Sequence, residues 1–328
     1  MSKTYATISI VLGALAIIIV GAYFIWFAPA NFKGDKYIFV VESGQTINNI
    51  IDSLKEEGFI RSVWGTKVAF KLSRANSVQA GTYNVSPRMD AWQIAGILGA
   101  SETATVKVAI PEGYTLSQIA DTLDQKGIIT ASDFLDVAQN YISDRDFLVA
   151  RKNNSLEGYL FPDTYNMNKG TPAKDLVEQM MGNFSQRIRS LADAVAQNKY
   201  NLHQIIILAS LVEKEARTEE DRKLIAGVLL NRLEAGMRLD VDATVRYITN
   251  NWDKPITQSD LNSNSPYNTR KVTGLPPGPI CNPGLATIKA VLSPTNSNYL
   301  YYLHDADGNT YYAKTLDQHN ANKAKYLS

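Results

Sequence analysis

The run Ile205-Ile206-Ile207-Leu208-Ala209-Ser210-Leu211-Val212, followed directly by Glu213-Lys214-Glu215-Ala216-Arg217, decides how the second half of this chain is built. The first eight residues carry no charge and are apolar on every helical face, and a helix apolar all round is a buried one. They are expected to form the central helix of the main domain. At about 100° per residue, Glu215 falls on the stripe of Leu208, Leu211 and Val212, whereas Glu213 lies about 200° away. Glu213 is expected to pair with Arg217 at i,i+4. Glu215 has no such partner, because its own i+4 neighbour is Glu219, a like charge. A carboxyl at the edge of an apolar face is expected to have a raised pKa, from desolvation first and Glu219 second. Such a group suits general-acid cleavage of a glycosidic bond. Helix geometry alone equally allows a solvated residue at a fraying helix end.

Working outward, residues 173 to 199 read as a long polar-faced helix, broken near Asn198-Lys199-Tyr200-Asn201. Beyond Glu215, helix is expected to continue through Leu224 to Leu233. After Gly274 come Pro/Gly-rich loops, then a helix near Leu285 to Val291. Tyr299-Leu300-Tyr301-Tyr302-Leu303 and Thr310-Tyr311-Tyr312-Ala313 read as a hairpin around Asp307-Gly308-Asn309.

The first half repeats itself. Gly44, Thr46, Ile50, Leu54, Gly58 and Ile60 recur 69 positions on as Gly113, Thr115, Ile119, Leu123, Gly127 and Ile129. Each copy opens with a β-rich run, Tyr37 to Val41 or Val106 to Ile110. A glycine turn follows, then Thr46 or Thr115 as a helix cap, then an amphipathic helix ending near Gly58 or Gly127. Ala80 to Val85 reads as a further strand and Ala91 to Leu98 as a helix. Residues 36 to 140 are thus a small α+β region of strand–helix units. These resemble the LysM type of glycan-binding module, and a plain spacer remains the alternative.

Thr4 to Phe32 carries no charge, and Ile8 to Phe27 is almost wholly apolar, close to the ~20 residues a membrane helix needs. Tyr23, Phe24, Trp26 and Phe27 cluster at its far end, as interfacial aromatics do. The expectation is residues 1–5 cytoplasmic, a transmembrane helix over 6–28, and the remainder outside, with Lys33 and Lys36 weakening the orientation signal. A cleaved signal peptide at Ala28-Pro29-Ala30 is the competing reading; the apolar run exceeds the ~7–15 residues of a signal-peptide core. The net charge of +1 gives no electrostatic reason to expect nucleic acid. A single cysteine, Cys281, rules out an intramolecular disulfide, and His203, His304 and His319 stand at no ligand spacing, so no metal is expected.

Five polar-and-aromatic clusters remain: Glu157 to Tyr165, Asn231-Arg232-Leu233, Gly236 to Asp242, Ser265 to Arg270, and Gly274 to Ile280. Aromatic faces beside amides and carboxylates suit sugar rings and their hydroxyls. Each cluster alone is more often a turn. In this order, with Glu213-Lys214-Glu215, Gly236-Met237-Arg238-Leu239, Tyr267-Asn268-Thr269 and Gly274-Leu275-Pro276-Pro277-Gly278, the chain resembles the endolytic murein transglycosylase family, the YceG-like proteins. The resemblance runs from the apolar start to Asn320. It departs at Ala243, where a proline usually follows the aspartate.

The resemblance implies a lytic transglycosylase with Glu215 as its catalytic acid and no cofactor. Glu157, Asp163, Asn231, Arg232, Asp242, Tyr267 and Asn268 are the candidates for positioning the substrate. Arg232 and Arg238 could instead brace helices by pairing with acids. The implied partners are peptidoglycan glycan strands, the inner membrane and possible peptidoglycan synthases. The implied place is the inner membrane, single-pass, with the active part in the periplasm. A muramidase would need a second carboxylate, for which Asp163, Asp240 and Asp242 are the candidates. A non-catalytic glycan-binding scaffold is the third reading. The expected fold is α+β: an N-terminal transmembrane helix, the LysM-like region over 36–140, and a larger mixed α/β catalytic domain over 141–328 with a buried central helix.

Overall fold

The structure, a computed structural model, describes residues 2–31, 37–42, 44–73, 75, 77–79, 81–99, 106–143, 145–151, 153–168 and 170–327. Lys33, Lys36 and Ala80 lie outside these residues. The chain divides into two compact units, Met1–Lys107 with Asn166–Thr171, and Val108–Tyr165 with Pro172–Ser328.

The first unit holds α1 (Ser2–Trp26), β1 (Tyr37–Val41), α2 (Ile47–Glu56), α3 (Val63–Leu72), β2 (Gly81–Val85) and α4 (Ala91–Gly99), and leads into β3 (Val106–Ala109). β1 and β2 run antiparallel with Phe39 opposite Tyr83. Alternation sends Phe39 and Val41 into the core and leaves Val40 exposed. Ile50, Ile51, Leu54, Ile94 and Leu98 close that core from the helices. The end of α1 is seated on α3: a Cβ at Gly65 would stand 2.0 Å from the Trp26 carbonyl oxygen, and Arg61 donates to the carbonyls of Pro29 and Phe24. The membrane span expected over 6–28 falls partly on side chains outside the described residues. Among the described residues no helix is long and apolar enough to cross a membrane.

The repeat is architectural as well as sequential. The second unit continues from β3 with α5 (Leu116–Gln125), α6 (Ala131–Gln139), a 3-10 turn over Asp146–Leu148 and β4 (Thr164–Met167), which pairs with β3. Both copies are therefore strand–helix–helix–strand, and Ile47 and Leu116, which open α2 and α5, stand at matching positions. Thr46 and Thr115 cap those helices, accepting from the amides of Asn49 and Gln118. Gly44 and Gly113 share a left-handed φ of 85° and 79°, which explains the glycine at both turns. The division between the compact units falls within β3, between Lys107 and Val108. The second copy is held by its own unit: the Gly113 amide donates to the Asn282 carbonyl at 2.8 Å, and the Ile110 amide to that of Asp163 at 2.9 Å.

The rest of the second unit comprises α7 (Ala173–Arg189), α8 (Ala192–Ala196), α9 (Leu202–Glu215), α10 (Glu219–Glu234), α11 (Asp242–Thr249), α12 (Gln258–Leu261), α13 (Leu285–Leu292), β5 (Tyr301–His304), β6 (Thr310–Ala313) and α14 (Leu316–Tyr326). α9 is the expected central helix, with Ile205 to Val212 all buried against α10, α11 and α13. Its one hydroxyl is satisfied: Ser210 donates to the Ile207 carbonyl and accepts from the Ile280 amide. Two expected continuities break. The helix expected over 173–199 stops at Arg189, where the Ser190 hydroxyl takes the Arg187 carbonyl. Helix does not run on past Glu215 either, because Ala216 is extended (φ −79°, ψ 141°) and Thr218 caps a new helix. The hairpin forms as expected, with Tyr302 opposite Tyr312.

Candidate active site

The break after Glu215 makes the site. As the last residue of α9, Glu215 is half-buried, and its carboxyl faces a cleft of about 360 Å³ shared with Arg232, Asp240, Asp242, Arg270, Tyr302 and His319. Tyr302 donates its hydroxyl to Glu215 Oε2 at 3.0 Å, and the Ala243 amide donates as well. Burial drives the carboxyl up to about 7 against those two donors, and the neighbouring charge of Asp242 adds to the rise. The expected second cause, Glu219, is replaced by Asp242, because the chain turn at Ala216 removes the i+4 relation. Glu213 differs from expectation for the same reason. With Arg217 outside the helix, Glu213 accepts from the Gly284 amide at 3.0 Å and faces Arg222 at 4.0 Å.

Tyr302 reaches Glu215 because α10 pins the chain leading into β5. Asn231 donates to the carbonyls of Ser297 and Tyr299 at 2.7 and 2.9 Å, and Arg232 donates to that of Leu300 at 2.6 Å. Arg232 also grips the Leu239 carbonyl and pairs with Asp240 at 3.4 Å. Asp240 holds a left-handed φ of 55°, a cost that a side chain without glycine's freedom bears only where its surroundings enforce it. Asp242 opens α11 and pairs with Arg270. Burial first, and then the nearby cations Arg217 and Lys323, lower the pKa of His304 and His319 respectively.

Glu157 stands in a second cleft, of about 320 Å³, with Ser117, Gln139, Tyr247, Asn250 and Tyr267. Its buried carboxyl accepts from the Leu116 amide at 3.2 Å, from Asn282 Nδ2 at 3.2 Å and from Tyr247. Burial pushes it up to about 8 despite those donors. Asn282 ties the same knot from the other side, its Oδ1 accepting from the amides of Gly158 and Leu160.

The sequence-derived candidates therefore separate. Glu215, Arg232 and Asp242 share one cleft; Glu157 and Tyr267 share the other. Asp163 lies in neither, its carboxyl held below the usual range by Asn183, by the Thr164 amide and by Arg187 at the surface. Asn231 is a brace, and Asn268 is buried holding its own loop through the carbonyls of Leu261 and Ser263. Tyr302, Arg270, Tyr247 and Asn282 escaped the sequence reading. Only Arg270 lay in a cluster singled out there, and the hairpin tyrosines carry a strand pattern and no chemical signal.

Residues 39–325 match the family described as the YceG-like family. A Bacillus subtilis (strain 168) protein named endolytic murein transglycosylase is 33% identical over 302 residues, covering 88% of this chain and 84% of that protein. One of the same name from Streptococcus pneumoniae (serotype 2, strain D39) is 30% identical over 351 residues, covering 96% of this chain and 64% of its own length. A crystal structure of a YceG-like protein from Listeria monocytogenes superposes with a TM-score of 0.58 at 34% identity, covering 88% of this chain and 99% of that one.

Proposed function

The chain belongs to the YceG-like family, and on that premise we propose that it is an endolytic peptidoglycan lytic transglycosylase with Glu215 as acid and then base. Glu215 gives its proton to the oxygen joining N-acetylmuramic acid to N-acetylglucosamine, and that bond breaks. The resulting carboxylate takes the proton of the muramoyl 6-hydroxyl, whose oxygen closes on C1 to leave a 1,6-anhydro end. The nucleophile belongs to the substrate, so the intramolecular attack needs no protein nucleophile. The observation that carries this reading is one desolvated carboxyl, raised to about 7, at the wall of a cleft. Asp240 and Asp242, which a hydrolase could use, are each engaged by an arginine. Mass spectrometry of fragments released from purified glycan strands tests the reading: anhydro ends are expected, and reducing ends in their place would assign a muramidase. The described side chains of α1 from Ile10 to Ile19 stand outward, which supports α1 as an anchor in the inner membrane with the chain after it on the periplasmic side.

The raised carboxyl sets a pH dependence. Cleavage is expected to be level below about pH 7 and to fall about tenfold per unit above it, as the acid is lost. The Tyr302 hydroxyl favours the ionised form of Glu215, so its removal raises that group's pKa further. Tyr302→Phe is expected to move the alkaline limb to higher pH and to lower kcat roughly tenfold through lost orientation of the carboxyl. A pH–rate profile with an unmoved limb would show that Tyr302 does not position Glu215.

A further inference from the structure

We propose that the cleft between the start of α5 and the end of α11 is a second holding site for the glycan strand, taking an uncharged N-acetylated sugar unit apart from the one being cut. This deepens the proposed function and rests on Glu215 marking the point of cleavage. The lining is of the type such a sugar recognises. Ser117, Gln139 and Asn250 offer hydroxyl and amide groups. Tyr247 and Tyr267 present two phenol rings 5.2 Å apart at 45°. Flat aromatic faces take pyranose C–H groups, and amides take hydroxyl and acetamido groups.

Among the described residues of this lining Glu157 is the sole carboxyl, and it is already engaged by Leu116, Asn282 and Tyr247. It braces the floor and leaves the polar rim to a ligand. The rim is loosely tied: Asn250, in a left-handed conformation at φ 50°, reaches Ser117 Oγ at 3.3 Å. The Glu215 cleft is built differently, from the ion pairs Arg232–Asp240 and Arg270–Asp242.

One element serves both clefts. The Ala243 amide near the start of α11 touches Glu215, while Tyr247 touches Glu157 and Asn250 closes the helix. From Ala243 to Asn250 the helix rises about 10 Å, farther than one sugar ring reaches. A strand seated at both ends is engaged through its interior, which favours cuts within long strands over cuts of short oligomers.

The test compares wild type with the triple variant Ser117→Ala, Gln139→Ala, Asn250→Gly, the glycine keeping the left-handed backbone. The ratio of kcat/KM on long uncross-linked glycan strands to that on a tetrasaccharide is expected to fall about tenfold, the loss of one or two hydrogen bonds. Binding of the same strands by the Glu215→Gln protein, with and without the triple substitution, is expected to weaken by a similar factor. An unchanged ratio with unchanged binding would overturn the second site. If wild type forms no anhydro ends but the triple substitution still weakens strand binding, the proposed reaction fails and the holding site stands.

Discussion

Glu215→Gln is expected to abolish the release of anhydro-ended fragments, by roughly a thousandfold or more, while the protein folds as well as wild type. The amide keeps the shape of the acid and an oxygen that can accept from Tyr302, but it cannot serve as the acid that gives a proton and the base that takes one back. A positioned general acid contributes about 10²–10⁴-fold, and this residue serves twice in one turnover. Stability should respond in the opposite direction. A carboxyl whose folded pKa is raised to about 7 contributes stability that is fully present below its unfolded pKa and lost as pH rises through about 7. The glutamine variant is therefore expected to gain on wild type in thermal unfolding between about pH 5 and 8. Cleavage that persists in a folded Glu215→Gln protein would end the enzymatic assignment to this residue. A scaffold that never cuts predicts, in contrast, that cellular function survives the substitution.

The second large effect is expected at Glu157, where Ala and Gln should part company. Glu157→Ala removes the acceptor of the Leu116 amide and of Asn282 Nδ2 in a buried place. Each orphaned group costs about 1–3 kcal/mol and the deleted side chain leaves a cavity, so a loss of roughly 3 kcal/mol or more is expected. Glu157→Gln keeps an acceptor for those donors, and its own N–H can turn to Tyr247. At about pH 4.5 and below it is expected to unfold near the wild-type temperature. The pH trend again isolates the group: with its pKa raised to about 8, the stability it contributes is present below about pH 4.5 and lost by about pH 8. The advantage of Glu157→Gln over wild type should thus widen across that window. Unfolding measurements of both variants decide the role. An Ala variant as stable as wild type, deficient only in binding strands, would make Glu157 a ligand and not a brace.

Glu215 was legible because an unbroken apolar run names its own buried face, and seven residues bring a helix back to nearly the same direction. The repeat was legible because glycines at left-handed turns and threonine caps are local requirements, met by the residues on either side. That Asp163 and Asn268 stand outside both clefts was not legible, because a polar residue beside aromatics looks alike whether it meets a ligand, a surface arginine or its own loop. The separation of Glu157 from Glu215 was not legible either, since its partners Leu116 and Asn282 are 41 and 125 residues away.

Although it did not determine where α7 and α9 end, the sequence by itself determined the paired strands of the hairpin, the repeated caps and turns of the first half, and that α9 must be buried. Those are properties of neighbours along the chain. Which carboxyl lacks water, and which hydroxyl meets it, were decided only in the folded chain. The partners of Glu215, at Tyr302 and Asp242, come from a hairpin and a helix whose approach depends on Asn231 and Arg232 holding distant carbonyls. Such contacts form between segments far apart in sequence, and no local pattern encodes them.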